Sequence, residues 1–332
     1  MNAFGDLLPR LRYVETIPVD VDGRKLVAVK DPQRYATAML TVEQGALYIL
    51  SKCDGRTTLG DLAREWEEQT GRPLPAEDVA RLIKVFDDHF FLETPHFDAH
   101  KRAVDSAWMN APIRPSTLFD YAEPGKEKEA WDELRRMIND FYRAAGHPPG
   151  PEIVSEKRTA KILVAPHIDY QRGGKVWAAA YGEFARSFTG RRVIILGTNH
   201  QPHKLPVSMT AKNFQTPFGL LLVDEELSSR IAAALPFDPY EDELPHRVEH
   251  SVELAAVMLA YLRPDIRIVP VLLGGAQHLV DGKDDPETDE AFLALAEAVP
   301  RYFGRRRRRR GADRLGRPRA RRTHVSGRVS HR

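Results

Sequence analysis

At 332 residues the chain is long enough for two ordinary domains, or for one large domain with appendages. Its content of 42% hydrophobic and 29% charged residues is typical of a soluble globular protein, and no apolar run approaches the ~18 residues of a membrane helix. The net charge of +2 hides an asymmetry: residues 305–332 hold thirteen arginines and one acid, and the rest has 36 basic against 46 acidic residues, a net charge of −10. Nucleic-acid binding would therefore depend on that segment alone.

The N-terminus and the single cysteine both favour a cytoplasmic location. MNAFGDLLPRLRYVETIPVD has no basic stretch followed by an apolar one, so no secretory signal is evident. Cys53 cannot form an internal disulfide, and within YILSKCDG we expect it to be a small apolar core residue.

Residues 1–98 predict a small α+β domain. GRKLVAVKDP indicates a strand, and TVEQGALYILSKCDG indicates a helix that ends at an Asp-Gly turn. In RTTLGDLAREWEEQTG we expect Thr58 to cap a helix that ends at Gly71. PAEDVARLIKVFDDHFFL has helical apolar spacing and leads into a short strand, FFLETP.

The pattern ILSKCDGRTTLGDLAREW resembles small winged-helix domains similar to pyrroloquinoline-quinone biosynthesis protein D. The resemblance covers residues 30–97 and implies binding of a peptide or of a partner such as a radical S-adenosylmethionine protein. A helical appendage without a peptide role fits the same apolar spacing.

Residues 99–150 predict a helical linker, and residues 151–304 predict an α/β domain. The linker helix spans 127–145, and GHPPG at 146–150 marks a boundary. From residue 160, the apolar runs AKILVAP, RRVIILG and IRIVPVLLGG alternate with helical patterns at 175–187, 224–235, 251–263 and 289–302. This alternation predicts a three-layer α/β/α fold with a largely parallel or mixed sheet.

Two of these apolar runs, both predicted to be buried strands, end in histidines. ILVAP leads into His167, and VIILGT leads into Asn199 and His200. Ligands of open α/β sheets bind beyond the carboxyl ends of the strands, and imidazole is a common ligand of transition metals. The pair therefore predicts a metal site, although a lone loop histidine is usually only a solvated side chain.

A third group lies in LPHRVEHSVELAAVMLAYL. Glu249, His250 and Glu253 fall at the start of an apolar helix, and His246 precedes them by about one turn. These groups could transfer protons beside a metal. Alternatively, the two glutamates are surface acids stabilised by the helix dipole.

Other polar residues near these runs are predicted to line a pocket. NFQTPFG and LLGGAQH have the composition of turns that shape a pocket wall, and Gly173–Gly174 is expected to let the loop after His167 turn tightly. The predicted pocket residues are Asp169, Tyr170, Asn199, His203, Thr216 and His246.

Five ordered blocks resemble the Memo family, also called AmmeMemoRadiSam system protein B. They are APHIDYQRGGKVWAAAY, VIILGTNHQP, FQTPFGLLLVD, EHSVELAAVMLAYL and IRIVPVLLGG, within residues 160–303. The resemblance implies a fold similar to class III extradiol dioxygenases, which are non-haem iron enzymes. It also implies that His167 and His200 bind Fe(II) or copper, with His250 lining the same pocket.

The chain departs from the family pattern after the third apolar run. The family continues with a Ser-Asp block and a Cys-Gly block whose cysteine is the third metal ligand. Here GRRRRRRGADRLGRPRARRTHVSGRVSHR follows instead. We therefore expect an α/β domain incomplete at its C-terminus and a disordered, out-of-frame segment at 305–332, capable only of nonspecific nucleic-acid binding. No residue can be assigned as third ligand.

Two functions follow from these patterns. The first is a Memo-like metalloprotein with redox or dioxygenase-like activity toward an unidentified substrate. Because no third ligand can be assigned, we do not expect full catalytic turnover from this chain. The alternative is a non-catalytic adaptor that binds a peptide or a radical S-adenosylmethionine enzyme.

Overall fold

The computed structural model describes residues 7–118, 125–150, 161–188, 190–275, 281–282, 285 and 287–301. The arginine-rich segment predicted at 305–332 and the end of LLGGAQH lie outside these residues. Of the helices described, none combines the length and apolar character that crossing a bilayer demands.

The N-terminal part of the chain is an antiparallel sheet followed by three helices. Strands β2, β3 and β4 are adjacent in that order, and β1 pairs with β5. The elements are β1 (Arg10–Leu11), β2 (Glu15–Val21), β3 (Arg24–Lys30), β4 (Leu40–Val42), α1 (Gln44–Ser51), α2 (Leu59–Thr70), α3 (Ala76–Asp88) and β5 (Leu92–Glu93). The winged-helix and peptide-binding interpretation of this part stays a prediction.

Local sequence signals place the helix ends of this part correctly. The Thr58 side chain accepts a hydrogen bond from the backbone N–H of Asp61, so it caps α2 as expected. Gly71 ends α2 with a φ of 67°, a left-handed conformation that glycine adopts without strain.

Cys53 is buried in the core beside Leu50 and Leu62, and burial raises the pKa of its thiol to about 12. The expectation of an apolar role for Cys53 is therefore confirmed.

The predicted linker contributes to both parts of the protein. Helix α4 (Pro95–Asn110) begins before the predicted boundary at residue 98, and β6 (Ile113–Arg114) joins the large sheet beside β9. The linker helix α5 (Glu127–Ala144) forms as expected and packs on α6. The division into domains at 98, 150 and 304 stays a prediction.

The rest of the chain is a mixed sheet between two groups of helices. Its strands follow the order β6-β9-β10-β11-β7, and β8 also pairs with β11. The elements are α6 (Tyr170–Ser187), β7 (Arg192–Thr198), β8 (Val207–Met209), β9 (Asn213–Thr216), β10 (Gly219–Val223), α7 (Glu225–Ala232), a 3₁₀ helix (Leu244–Arg247), α8 (Ser251–Leu262), β11 (Arg267–Leu273) and α9 (Glu290–Arg301).

Strand β11 occupies the middle of this sheet and carries side chains into both cores. It runs parallel to β7 and β10 and antiparallel to β8. Ile268 and Leu272 pack with α5, α6 and α8, whereas Val269 and Val271 pack with α7 and α9 on the other face. Because successive strand residues point to opposite faces, an uninterrupted apolar run suits a strand covered on both sides. The mixed α/β architecture is confirmed.

The prediction of a buried strand at AKILVAP is wrong. Residues 161–167 form an irregular segment in which Ile162 is 78% and Val164 is 90% exposed, while Leu163 and Ala165 contact the core. Among the residues described, β7 pairs only with β11, and no strand pairs with this segment. An apolar run forms a strand only where a neighbouring strand accepts its backbone hydrogen bonds.

Two predicted turns are parts of regular elements. NFQTPFG forms β9, its turn and the start of β10. Gly173 and Gly174 lie inside α6, where a Cβ added to Gly174 would be 2.1 Å from the Phe141 ring on α5. The glycine pair therefore allows close helix packing and does not form a tight turn.

Candidate functional site

Three histidines from distant parts of the chain meet near the carboxyl end of β7. His167 is the last residue of the irregular segment, His200 lies two residues after β7, and His250 is the N-cap of α8. The ring centres of His167 and His200 are 5.1 Å apart, those of His200 and His250 are 5.1 Å apart, and those of His167 and His250 are 6.2 Å apart. The structure thus brings together the two predicted ligands and a histidine that the sequence suggested for catalysis.

The buried Glu249 carboxylate lies next to this cluster and forms hydrogen bonds with two of its residues. Its side chain is 1% exposed, and its carboxylate accepts hydrogen bonds from the backbone N–H groups of His200 (2.7 Å), His250 (2.9 Å) and Ser251 (3.0 Å). Burial alone would raise the pKa of the Glu249 carboxyl, but these hydrogen bonds hold it below its ordinary value. Glu249 is therefore an ionised hydrogen-bond acceptor in the folded protein.

The same carboxylate orients the His200 imidazole and lies close to that of His250. Nδ1 of His200 lies 3.1 Å from Oε1 of Glu249, and Nδ1 of His250 lies 3.2 Å from that oxygen. The carboxylate accepts a hydrogen bond from Nδ1–H of His200, which leaves Nε2 of that ring as the nitrogen with a lone pair, whereas His250 Nδ1 is only within ion-pair distance. Burial and the neighbouring His200 and His167 lower the pKa of His250, so the neutral form of its ring is favoured. Neutral imidazole is the form that binds metals.

Packing between β7 and α8 holds the cluster in place. Ser251 Oγ donates to the carbonyl oxygen of Thr198 at 2.8 Å. A Cβ added to Gly197 would be 2.6 Å from Ser251 Oγ and 2.7 Å from a side-chain carbon of Val252. The absence of a side chain at Gly197 therefore lets the first turn of α8 contact the strand that leads to His200.

Glu253 does not face this cluster. It is fully buried, and its carboxylate accepts hydrogen bonds from Arg114 Nη2 (2.9 Å), Ser116 Oγ (2.7 Å) and the backbone N–H of Thr117 (2.7 Å). Burial raises the pKa of this carboxyl, but the Arg114 charge and the hydrogen bonds outweigh it and lower the pKa. The candidate proton-transfer role of Glu253 is therefore not supported, since its oxygens are engaged in the interior.

Arg114 is the residue that sequence reasoning missed. Its guanidinium is fully buried and also donates to the carbonyl oxygens of His246 (2.7 Å) and Glu249 (2.8 Å). It therefore holds the turn that carries Glu249 and His250. The sequence APIRPST offers no periodic signal for this contact, because Arg114 acts on residues more than 130 positions away.

Most predicted pocket residues have structural roles. Asp169 caps α6, the Tyr170 hydroxyl donates to the Leu254 carbonyl oxygen, and Thr216 Oγ1 donates to the Gly219 carbonyl oxygen. His203 Nδ1 lies 2.8 Å from the Gln201 carbonyl oxygen, outside the three-histidine cluster. Asn199 is buried next to His200, and its Oδ1 accepts from the backbone N–H of Gln201.

His246 is buried and neutral. Its Nε2 lies 3.2 Å from the Ser208 carbonyl oxygen, and burial lowers the pKa of the ring to about 3. In the unfolded chain the His246 ring has its ordinary pKa of 6.5, so it takes up a proton when the pH falls below that value. The folded protein therefore loses stability as the pH falls from 6.5 towards 3, by at most about 1.4 kcal/mol per pH unit.

We expect His246→Gln to flatten this pH dependence. Urea unfolding at pH 7.5, 6 and 5 measures the free energy of unfolding, and the difference between wild type and variant should shrink as the pH falls. His96→Gln, at an exposed histidine, is the control and should follow the wild-type slope. Parallel wild-type and His246→Gln curves would contradict a buried neutral ring.

The N-terminal part contacts the turn that carries Glu249. Arg247 donates from Nη1 to the carbonyl oxygen of Arg34 at 3.3 Å, and from Nη2 to that of Gln33. Its guanidinium carbon lies 4.4 Å from the centre of the Tyr35 ring, within cation–π distance. The turn before α8 is thus held by hydrogen bonds from Arg114 and by the contacts of Arg247 with residues 33–35.

Comparison with known proteins gives one consistent result. Residues 127–283 match the Memo-like protein family. The chain is 25% identical to a MEMO1 family protein of Aquifex aeolicus and 27% identical to one of Thermus thermophilus, over 80% and 74% of this chain. A MEMO1 family protein of Methanopyrus kandleri is 34% identical over 51% of the chain. The alignments span 66%, 69% and 59% of these relatives.

Proposed function

We propose a metal-binding function for residues 127–283, the part of the chain that matches the Memo-like protein family. In this proposal His167, His200 and His250 together bind one Fe(II) or copper ion. The observation that carries it is the cluster of three imidazoles with ring centres 5.1 to 6.2 Å apart. Imidazoles that bind one ion through nitrogens at about 2.1 Å have ring centres about 5 Å apart, a separation that two of the three pairs have. Among the described residues, the group whose ligand atoms all lie within 4.8 Å of one another is His200, Glu249 and His250, so His167 has to move closer to complete the proposed set.

His250 takes the place of the third ligand that sequence reasoning could not assign. Glu249 is close enough to act as a ligand itself, since its oxygen lies within 4.8 Å of the nitrogens of His200 and His250. However, three backbone N–H groups and Nδ1 of His200 already occupy its carboxylate, and its side chain is 1% exposed. In this proposal Glu249 therefore orients the His200 ring, as carboxylates beside metal-bound imidazoles generally do.

The chemistry proposed follows from the ligand set and from the resemblance to class III extradiol dioxygenases. Iron or copper, when bound, would supply redox chemistry. The hydrogen bond to Glu249 favours one tautomer of the His200 ring, and the side chains of His200 and His250 are 39% and 46% exposed, so a substrate can approach. Extradiol dioxygenases use two histidines and a carboxylate, whereas this proposal replaces the carboxylate by a third histidine.

The test is metal binding by single histidine variants. We expect His167→Ala, His200→Ala and His250→Ala each to weaken binding of Fe(II) or Cu(II) by about 100-fold or more, because each variant removes one of three ligands. Titration calorimetry gives the affinity, and metal analysis of the purified protein gives the stoichiometry.

His203→Ala is the matched control, since it removes a histidine from the same loop as His200 but outside the cluster. It should bind metal as the wild type does. Wild-type affinity in His250→Ala would remove His250 from the ligand set, and wild-type affinity in all three variants would reject the site.

A further inference from the structure

A second site lies where the N-terminal part meets the Memo-family part. A cavity of about 830 Å³ opens there, and we call it the junction cavity. Its walls come from β2 and β3, the loop before β4, helix α4, the segment after β6, and Arg247–Val248 at the end of the 3₁₀ helix. Small-molecule sites in proteins typically have volumes of about 300–1,000 Å³ and favour such junctions.

The walls of the junction cavity are mainly apolar. Ile17 and Met39 line it from the sheet side, Val104 and Trp108 line it from α4, and Val248 closes it from the Memo-family side. Ile17 is 43% exposed and Met39 is 59% exposed, so water covers apolar side chains here. A ligand with an apolar body would displace that water, and burial of its surface favours binding.

The polar groups of the cavity are predominantly cationic. Lys30, Arg34 and Arg247 line it, against one acid, Asp31. The Asp31 carboxylate is 0% exposed, because it pairs with Arg12 at 2.9 Å and accepts three backbone hydrogen bonds. Its charge is thereby compensated. Lys30 likewise pairs with Glu15 at 2.9 Å, so Arg34 and Arg247 give the cavity its positive charge, although residues 1–304 carry a net charge of −10. This charge favours an anion.

Arg247 provides a fixed cation. Two of its nitrogens donate to the carbonyl oxygens of Arg34 and Gln33, and its plane lies against Tyr35. A guanidinium has five N–H donors, so these contacts leave donors for a further acceptor. A side chain already ordered in this way loses little entropy when it binds an anion.

We propose that the junction cavity binds a small amphipathic anion: an apolar chain or ring system with a single carboxylate. The apolar body lies between the sheet and α4, and the carboxylate faces Arg247. This site is separate from the three-histidine cluster and does not require a metal.

The experiment uses dodecanoate and dodecanol as probes of the full-length protein, with calorimetry below the micelle concentration. We expect one dodecanoate per chain, bound at least about tenfold more tightly than dodecanol, because the alcohol lacks the charge. Lys30→Gln should weaken dodecanoate binding by about twofold or less, since Lys30 is partly exposed and already pairs with Glu15 at 2.9 Å. Equal affinity for the two probes would overturn the assignment to anions.

Two variants that fill the cavity test its location. Ala107→Phe on α4 and Thr37→Phe on the opposite wall should each weaken dodecanoate binding by about tenfold or more, because the ring occupies the ligand's space. Ala103→Phe makes the same change one turn earlier on α4, outside the cavity lining, and should bind like the wild type. Thermal melting identifies any variant that fails to fold. Wild-type affinity in the folded cavity-filling variants would overturn the site.

Discussion

Replacing Glu253 by glutamine should lower the free energy of unfolding by about 3–5 kcal/mol. Arg114 and Glu253 form an ion pair at 2.9 Å, and both side chains are 0% exposed. Glutamine keeps the size of the side chain but removes the charge, and Arg114 then stays buried without a counter-ion. An unpaired buried charge costs far more than the intact pair contributes, because neither water nor another carboxylate replaces the lost partner.

Urea unfolding followed by circular dichroism measures this loss. Glu183→Gln is the matched control, since it makes the same change in an exposed pair with Arg186, and it should unfold close to the wild type. A Glu253→Gln protein as stable as Glu183→Gln would show that Glu253 is neither charged nor paired in the folded state.

Glu249→Gln should weaken metal binding by about 10- to 100-fold and also destabilise the fold. The glutamine NH₂ group can only donate, so it would face backbone N–H groups that now donate to the carboxylate, those of His200, His250 and Ser251. The His200 ring would lose the charged acceptor that fixes its tautomer, and the His250 ring would lose the nearby carboxylate charge. Metal affinity therefore falls although no ligand has been removed.

A second buried glutamate separates the two effects of this variant. Glu243 accepts a hydrogen bond from Thr210 and lies 3.7 Å from Lys212, with no contact to the three histidines among its hydrogen bonds and ion pairs in the described structure. Glu243→Gln should lower stability but leave metal affinity unchanged. If both variants lose metal affinity in proportion to their loss of stability, Glu249 acts only through the fold and does not orient the histidines.

These expectations share a structural cause. The turn from His246 to Glu253 carries two groups of the candidate site, yet residues outside the family match hold it. Arg114 donates to two carbonyl oxygens of the turn, and Gln33 and Arg34 accept from Arg247. The N-terminal part of the chain thus contributes to the geometry of the site, although none of its side chains belongs to the cluster.

Local signals were sufficient for most secondary structure. Helix α2 begins after Thr58 and ends at Gly71, as predicted, because capping and left-handed φ values depend only on neighbouring residues. The apolar runs of β7 and β11 form parallel strands, as predicted. A strand covered on both faces needs uninterrupted apolar residues, and such a run is visible in the local sequence. LVAP is equally apolar but does not form a strand. Strand formation also requires a neighbouring strand, and a local sequence pattern does not show whether one is present.

For the candidate site, the sequence by itself determined the pairing of His167 with His200, since each follows an apolar run in a block similar to Memo proteins. Only the tertiary structure decided that His250 lies beside them, that Glu249 contacts the His200 ring, and that Glu253 pairs with Arg114. Glu249, His250 and Glu253 are too close in sequence for periodicity to separate their roles. Those roles depend on which partner each side chain meets across the fold, at separations of 49 residues for Glu249 and 139 for Glu253.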